Sequence, residues 1–266
     1  MSETNTRDAG SIVLDRFGKV AQLTLSRASA LNAMTWEMYQ QLEENLKNLA
    51  EDPDVRVLVI RGEGEKALAA GTDISQFKGF TGQDGINYEK RIDKIMDLLF
   101  KFPKPTIAAI QGYAVGGGMM ISVGCDLRYA TPKARFGAPM SRTLGNCLSM
   151  TNYQRLVKEF GAMRTKEMLY TGRLASAEEV ASIGFLTAIY EEEGFFTKVL
   201  EIAEKISQNA PLTIGATKEA LIRLDQHDES QLPEFEDVIK KVYGSQDFAE
   251  GVAAYVEKRP PAWRGE

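Results

Sequence analysis

The stretch richest in chemical possibility is Gly112-Tyr113-Ala114-Val115-Gly116-Gly117-Gly118-Met119-Met120, which joins one apolar run to another. Glycine lets the main chain come into contact with a ligand. Where such a run opens a helix, the first-turn N–H groups lack carbonyl partners and carry the positive end of the helix dipole. An anion, or an oxygen that becomes one during a reaction, is stabilised there. The same glycines also suit close packing of a helix on a sheet, and the run alone fits both readings. A second turn, Lys66-Ala67-Leu68-Ala69-Ala70-Gly71-Thr72-Asp73-Ile74, also follows an apolar strand and leads into a short helix; alone it reads as an ordinary loop.

Conventional side-chain catalysts are sparse. The single histidine, His227, sits in the polar segment Asp225-Gln226-His227-Asp228 and reads as part of a helix end. The two cysteines, Cys125 and Cys147, form no Cys-x-x-Cys pair, so no zinc site is expected. Gly62-Glu63-Gly64-Glu65-Lys66-Ala67 faintly resembles a dinucleotide turn. A lone Gly-x-Gly is weak, no helix opens there, and two acidic side chains would face the pyrophosphate.

The elements that must hold these turns follow from periodicity. Ile12–Phe17 and Val20–Ser26 read as a hairpin about Gly18-Lys19. Thr35 caps a helix through about Asp52, with Met38, Leu42, Leu46 and Leu49 on one face. Val55–Ile60 is a nearly continuous apolar strand, the pattern of a strand covered on both faces. Residues 61–85 read as loop with one short helix after Gly71. A helix over Ile86–Lys101, a strand over Thr106–Gln111, a short apolar helix and a strand over Leu127–Ala130 follow. This alternation predicts an α/β chain with a largely parallel sheet. Beyond Gly161 the chain turns helical: Met163–Tyr170, a capping box at Ser176-Ala177-Glu178-Glu179 with Gly184 closing its helix, then Phe195–Asn209, Leu212–Leu224, Glu234–Val242 and Phe248–Lys258.

Taken in order, several segments resemble the crotonase superfamily, also called the enoyl-CoA hydratase/isomerase family. Arg27-Ala28-Ser29-Ala30-Leu31-Asn32-Ala33 looks like its N-terminal coenzyme A turn. Ala69-Ala70-Gly71-Thr72-Asp73-Ile74 and Gln111-Gly112-Tyr113-Ala114-Val115-Gly116-Gly117-Gly118 look like its two oxyanion-hole loops. Phe136-Gly137-Ala138-Pro139, Tyr170-Thr171-Gly172-Arg173 and the Asp247–Arg259 helix also match, so the resemblance spans most of the chain. It implies a spiral of β-β-α repeats over about residues 1–198 and a helical trimerisation region over 199–266. It implies an acyl-CoA thioester substrate, with no permanently bound cofactor and coenzyme A entering as part of the substrate. By position, the thioester oxygen falls between the N–H groups of Thr72 and Gly117. Arg27, Ala28, Ala30, Lys66, Ala70, Gly71, Asp73 and Ile74 become the coenzyme A contacts, the Ala70 carbonyl receiving the adenine amino group. Where the family often carries lysine, this chain has Ser29. Lys258-Arg259 are candidates for phosphate contact, and the expected assembly is a homotrimer or a dimer of trimers.

The chain departs from the family's hydratases at two positions. Their two catalytic glutamates correspond to Met120 and Met140. Methionine neither gives nor takes a proton usefully, and each acid/base partner lost is worth roughly 10²–10⁴ in rate. Hydration by two glutamates is therefore not expected. A decarboxylase of a malonyl-type thioester, or a non-catalytic acyl-CoA-binding subunit, are the alternatives. Arg142, in Ser141-Arg142-Thr143-Leu144-Gly145-Asn146-Cys147, is the candidate to pair with a substrate carboxylate, with a surface or interface salt bridge as its other reading. Asn146 or Cys147 could line the acyl pocket, and Asp73 suits a helix cap. Tyr113 suits packing and Asp126 a turn or an interface.

The 266 residues are 44% apolar and 26% charged with a net charge of -5, an ordinary globular composition. No basic stripe invites nucleic acid or an anionic membrane. The uncharged stretch Thr106–Gly124 holds Gln111 and five glycines, poor material for a spanning helix. Two cysteines and a polar first segment without a leader pattern point to a cytoplasmic protein.

Overall fold

The computed structural model describes residues 9–226 and 232–266. His227 and the polar first eight residues lie outside the described residues.

The chain opens with β1 (Ser11–Phe17) and β2 (Val20–Ser26), an antiparallel hairpin, followed by α1 (Trp36–Glu51). Thr35 caps α1 by accepting from the Met38 N–H at 3.2 Å. Then three ββα units repeat: β3 (Val57–Gly62), β4 (Ala67–Ala70) and α2 (Gly82–Phe100); β5 (Thr106–Ile110), β6 (Tyr113–Val115) and α3 (Gly117–Gly124); β7 (Leu127–Ala130), β8 (Arg135–Gly137) and α4 (Met150–Thr171). In each unit the first strand joins a six-stranded sheet ordered β1-β2-β3-β5-β7-β10. The second joins a four-stranded sheet ordered β4-β6-β8-β9. Short β9 (Ala175–Ser176), α5 (Ala177–Ala181) and β10 (Ala188–Ile189) finish the sheets. The last part is helical: α6 (Phe195–Ser207), α7 (Pro211–Gln226), α8 (Glu236–Tyr243) and α9 (Gln246–Glu257). This is the expected spiral of β-β-α repeats with a helical C-terminal region.

The period-2 alternation of β3 divides the core. Val57 and Val59 face α6 through Phe195, Val199 and Ala203, while Leu58 and Ile60 join the larger cluster shared with α1, α2 and α3. A strand with both faces covered has no polar alternation to show. Residue 198, where the sequence suggests a division, falls inside α6, and that helix packs on the large sheet.

Local departures have physical causes. Helix α2 starts at Gly82, four residues before the expected Ile86, because Thr81 and Asp84 form a capping box around a polar first turn. The segment before Gly161 is helical too, so α4 runs from Met150. Gly161 itself, at φ 71° and ψ 155°, breaks the helical path and hides the continuity from any periodic pattern. Strands β4, β6 and β8 hold only three or four residues each, too few for alternation to register. Among the described residues no helix is long and apolar enough to cross a membrane.

Candidate functional site

Parallel pairing of β4 with β6, with Ala70 opposite Val115, brings the two glycine-bearing turns side by side. Each strand runs straight into its turn. Gly116, at φ 52° and ψ -114°, donates its N–H to the Gly137 carbonyl (2.9 Å) and turns the chain into α3. The approach is close. A Cβ placed on Gly118 would lie 2.1 Å from the Ala69 carbonyl oxygen, and one on Gly117 would lie 3.6 Å from both Gly71 C and Thr72 Oγ1. No side chain larger than hydrogen fits at Gly118 while α3 keeps this contact.

Backbone alternation fixes the direction of the Thr72 amide. The Met34 N–H donates to the Gly71 carbonyl (2.8 Å), and the Asp73 N–H donates to the Met34 carbonyl (2.9 Å). Successive amides of an extended chain point to opposite sides. The Thr72 N–H, trans to the Gly71 carbonyl in the same peptide unit, therefore faces away from Met34. Gly117 is the first residue of α3, where no preceding turn offers its N–H a carbonyl. Two main-chain donors thus sit on adjoining turns of one small sheet.

Around them lies a hydroxyl cluster that the sequence reading passed over. Thr72 Oγ1 is 2.9 Å from Tyr39 Oη and 2.9 Å from Tyr88 Oη. Tyr39 Oη also comes within 2.5 Å of where a Gly117 Cβ would stand. Tyr39 is fully buried and Tyr88 half-buried. Burial pushes the Tyr39 phenol well above its ordinary value, with Tyr88 adding to the rise. Burial also raises Tyr88, but hydrogen bonds with Thr72 and Tyr39 oppose it. The Tyr88 ring meets Trp36 at 5.5 Å and Phe77 at 4.9 Å, both edge to face. Next to it, burial raises the Glu89 carboxyl, although the Ser149 N–H donates to it at 2.8 Å. A signal for both tyrosines exists in the sequence. Tyr39 shares the apolar stripe of Leu42, Leu46 and Leu49, and Tyr88 that of Ile92, Ile95 and Leu99; each is a polar-tipped ring where an aliphatic residue would serve packing alone.

The N-terminal turn is tied to the same loop. Arg27 is buried and pairs with Asp73 at 2.8 Å, while its Nη1 donates to the Ala33 carbonyl at 3.1 Å. Asp73 also caps the short 3-10 turn beginning at Ile74, accepting from the Ser75 N–H (3.0 Å). Hydrogen bonds from Ser75, then the Arg27 guanidinium, hold the Asp73 carboxyl below the usual carboxylate range. The Ala70 N–H donates to the Leu31 carbonyl (2.9 Å). Asn32 is a hub the sequence reading did not single out. It accepts from the Arg27 N–H (3.0 Å) and donates to the Ala67 (2.8 Å) and Glu63 (3.0 Å) carbonyls. Its left-handed φ of 56° is one that asparagine tolerates well. Ala28, Lys66 and Ile74 are exposed, Ala30 and Ala70 half-buried, and Gly71 buried. Ala28 and Ala30 bound a short 3-10 turn over 28–30 that includes the exposed Ser29, and the Lys66 carbonyl accepts from Tyr113 N–H (3.0 Å).

Other expected site residues scatter. Met120 is buried in the main core on α3, and Met140 is half-buried at the start of the 3-10 turn 140–142. Arg142, on that turn, lies against the end of α4: a Cβ on Gly172 would be 2.7 Å from Arg142 Cγ and Cδ. The structure therefore unites Thr72 with Gly117 and gives Arg142 a different neighbour. Asn146 and Cys147 are exposed, whereas Cys125 is buried and its thiol pushed up to about 12, chiefly by burial. Tyr113 is exposed. Asp126 accepts from Thr106 N–H (2.7 Å) and from Lys218 Nζ (2.7 Å), joining β5 to α7. Lys258 ends α9 in a left-handed conformation, and Arg259 is engaged by Glu250 at 2.6 Å.

Comparison with known proteins identifies the family and the fold. The family model described as enoyl-CoA hydratase/isomerase matches residues 15–266. A short-chain-enoyl-CoA hydratase of Clostridium acetobutylicum is 31% identical over 95% of this chain and 97% of its own. An (E)-benzylidenesuccinyl-CoA hydratase of Thauera aromatica is 33% identical over 96% of this chain and 99% of its own. Among solved structures, an enoyl-CoA hydratase from Bacillus anthracis superposes with a TM-score of 0.89 at 32% identity, covering 96% of this chain and 100% of that one.

Proposed function

The chain belongs to the enoyl-CoA hydratase/isomerase family, within the crotonase superfamily, and from that premise we propose that it holds an acyl-CoA thioester with the carbonyl oxygen between the N–H groups of Thr72 and Gly117. The supporting observation is the adjacency of those two turns, with the Gly117 Cβ position 3.6 Å from Thr72 Oγ1. Fixed donors stabilise an enolate oxygen more than a ground-state carbonyl, which is what accelerates a reaction. One such donor is worth about 2.7–4 kcal/mol in the transition state.

Coenzyme A would lie along the Arg27–Ala33 turn and the Lys66–Ile74 loop. The exposed Ala28, Lys66 and Ile74 are its accessible contacts, and Ala70 offers its carbonyl. Arg27 and Asp73, already paired with each other, would shape that surface rather than grip the ligand. With methionine at positions 120 and 140, water addition by paired carboxylates is not the route. Loss of carbon dioxide from a malonyl-type thioester is the second reading, favoured by the apolar residue at buried position 120, because a departing carboxylate needs no general base. The protein would act in the cytoplasm as a homotrimer or a dimer of trimers.

Mass spectrometry of the protein incubated with crotonyl-CoA, malonyl-CoA and methylmalonyl-CoA tests the proposal. An enolate-forming enzyme of this kind converts at least one thioester, seen as loss of carbon dioxide or gain of water. Tight binding of all three without conversion would leave an acyl-CoA-binding subunit, and absence of binding would refute the site.

A further inference from the structure

We propose that Tyr88 is the acid that returns a proton to the α-carbon of the bound acyl group, its hydroxyl set for that task by a chain running through Thr72 to Tyr39. The inference rests on the reading of Thr72 and Gly117 as the thioester site. An enolate held there must be protonated at carbon, and positions 120 and 140 carry no group able to do so. Three hydroxyls stand beside that site, with Thr72 Oγ1 2.9 Å from each phenol.

The chain has a direction. Tyr39 is fully buried at its closed end, beside Gly117, and its phenol resists ionisation more than that of Tyr88. A fully buried hydroxyl needs a partner for its proton; for Tyr39 that partner is Thr72 Oγ1, 2.9 Å away, which leaves the Thr72 proton for the Tyr88 oxygen. The Tyr88 proton is then the one free to leave. Tyr88 is also the half-buried member, and edge-to-face contacts with Trp36 and Phe77 fix its ring before substrate arrives. Glu89, whose charge reaches both phenols, discourages either from being a phenolate at rest.

In the step itself the Tyr88 O–H bond breaks and an α C–H bond forms from the enolate electron pair. The thioester carbonyl is restored. The phenolate accepts the Thr72 hydroxyl proton in a hydrogen bond and takes its own proton back from solvent water.

Microscopic reversibility supplies the test, because the group that protonates the α-carbon also removes its proton. Butyryl-CoA is incubated with the protein in deuterium oxide and its mass followed, while calorimetry gives its affinity. Wild type is expected to incorporate deuterium at the α-carbon. Tyr88→Phe should slow incorporation by roughly 10²–10⁴-fold at unchanged butyryl-CoA affinity, and Tyr39→Phe by a smaller factor, also at unchanged affinity. Thermal unfolding of each variant confirms that it is folded. Incorporation by Tyr88→Phe at the wild-type rate overturns the assignment, as does a wild type that binds butyryl-CoA without exchanging it. Equal losses in both variants, accompanied by weaker binding, would make the tyrosines supports of the loop and likewise overturn it. A wild type that does not bind butyryl-CoA refutes the thioester site, and the acid assignment falls with it.

Discussion

Gly117 has a buried tyrosine hydroxyl as its immediate neighbour, and this makes its lack of a side chain measurable. Gly117→Ala puts a methyl 2.5 Å from Tyr39 Oη, a separation that real contacts do not keep. Overpacking of this sort costs about 1–3 kcal/mol, read from the urea midpoint. Adding Tyr39→Phe removes the obstructing oxygen and is expected to recover part of the loss. Simple additivity of the two changes would mean that the hydroxyl is not what the methyl meets. The turns around Gly71-Thr72 and Gly116-Gly117 were legible in the sequence because glycine and motif order mark them. Tyr39 and Tyr88 were not, because a tyrosine on an apolar helical stripe looks like packing until the hydroxyls are seen to converge. The Arg27–Asp73 pair was hidden for a related reason: each residue had its own plausible role, and the 46-residue gap between them gives no sign of contact.

At the scale of elements, one ionic contact anchors the helical region on the sheets. Lys218 of α7 is 8% exposed and donates to the Asp126 carboxylate and to the Lys104 carbonyl at 3.0 Å. Burial lowers the Lys218 pKa, and the Asp126 charge opposes that shift. Lys218→Met keeps most of the side-chain volume but deletes the donor. It should destabilise the fold by about 1.5–3 kcal/mol, the worth of a hydrogen bond to a charged group. In an Asp126→Asn background the same change should cost less, and an undiminished cost would show that the pair does not anchor the helix. The longer strands and most helices could be read from periodicity to within a few residues. The four-stranded sheet could not, although it carries both turns of the site. Its strands are too short for a pattern, and the contact that brings α3 onto Ala69 of β4 depends on the bare backbone at Gly118.

Over the whole molecule, the order of motifs disclosed the family, but the surface that would join copies was not disclosed. Tyr255 and Val256 on α9 are 86% and 74% exposed, and Val252 and Tyr243 are at least half exposed. Val252, Tyr255 and Val256 fall at i, i+3 and i+4 on one exposed face of α9, and such a cluster is unusual for an isolated chain. In sequence they are indistinguishable from the residues that face a core. Sedimentation equilibrium should return three or six times the chain mass of 29.4 kDa. Tyr255→Asp should move that value toward a single chain, and a monomeric wild type would refute the assembly. The two cysteines bear on how such assemblies can be watched. Cys125 is sealed in the core with its thiol pushed up to about 12, while Cys147 stands at the surface. A maleimide dye would therefore mark one defined place per chain. Fluorescent copies could then be counted by stepwise photobleaching, and their spacing gauged by energy transfer, without adding a foreign residue.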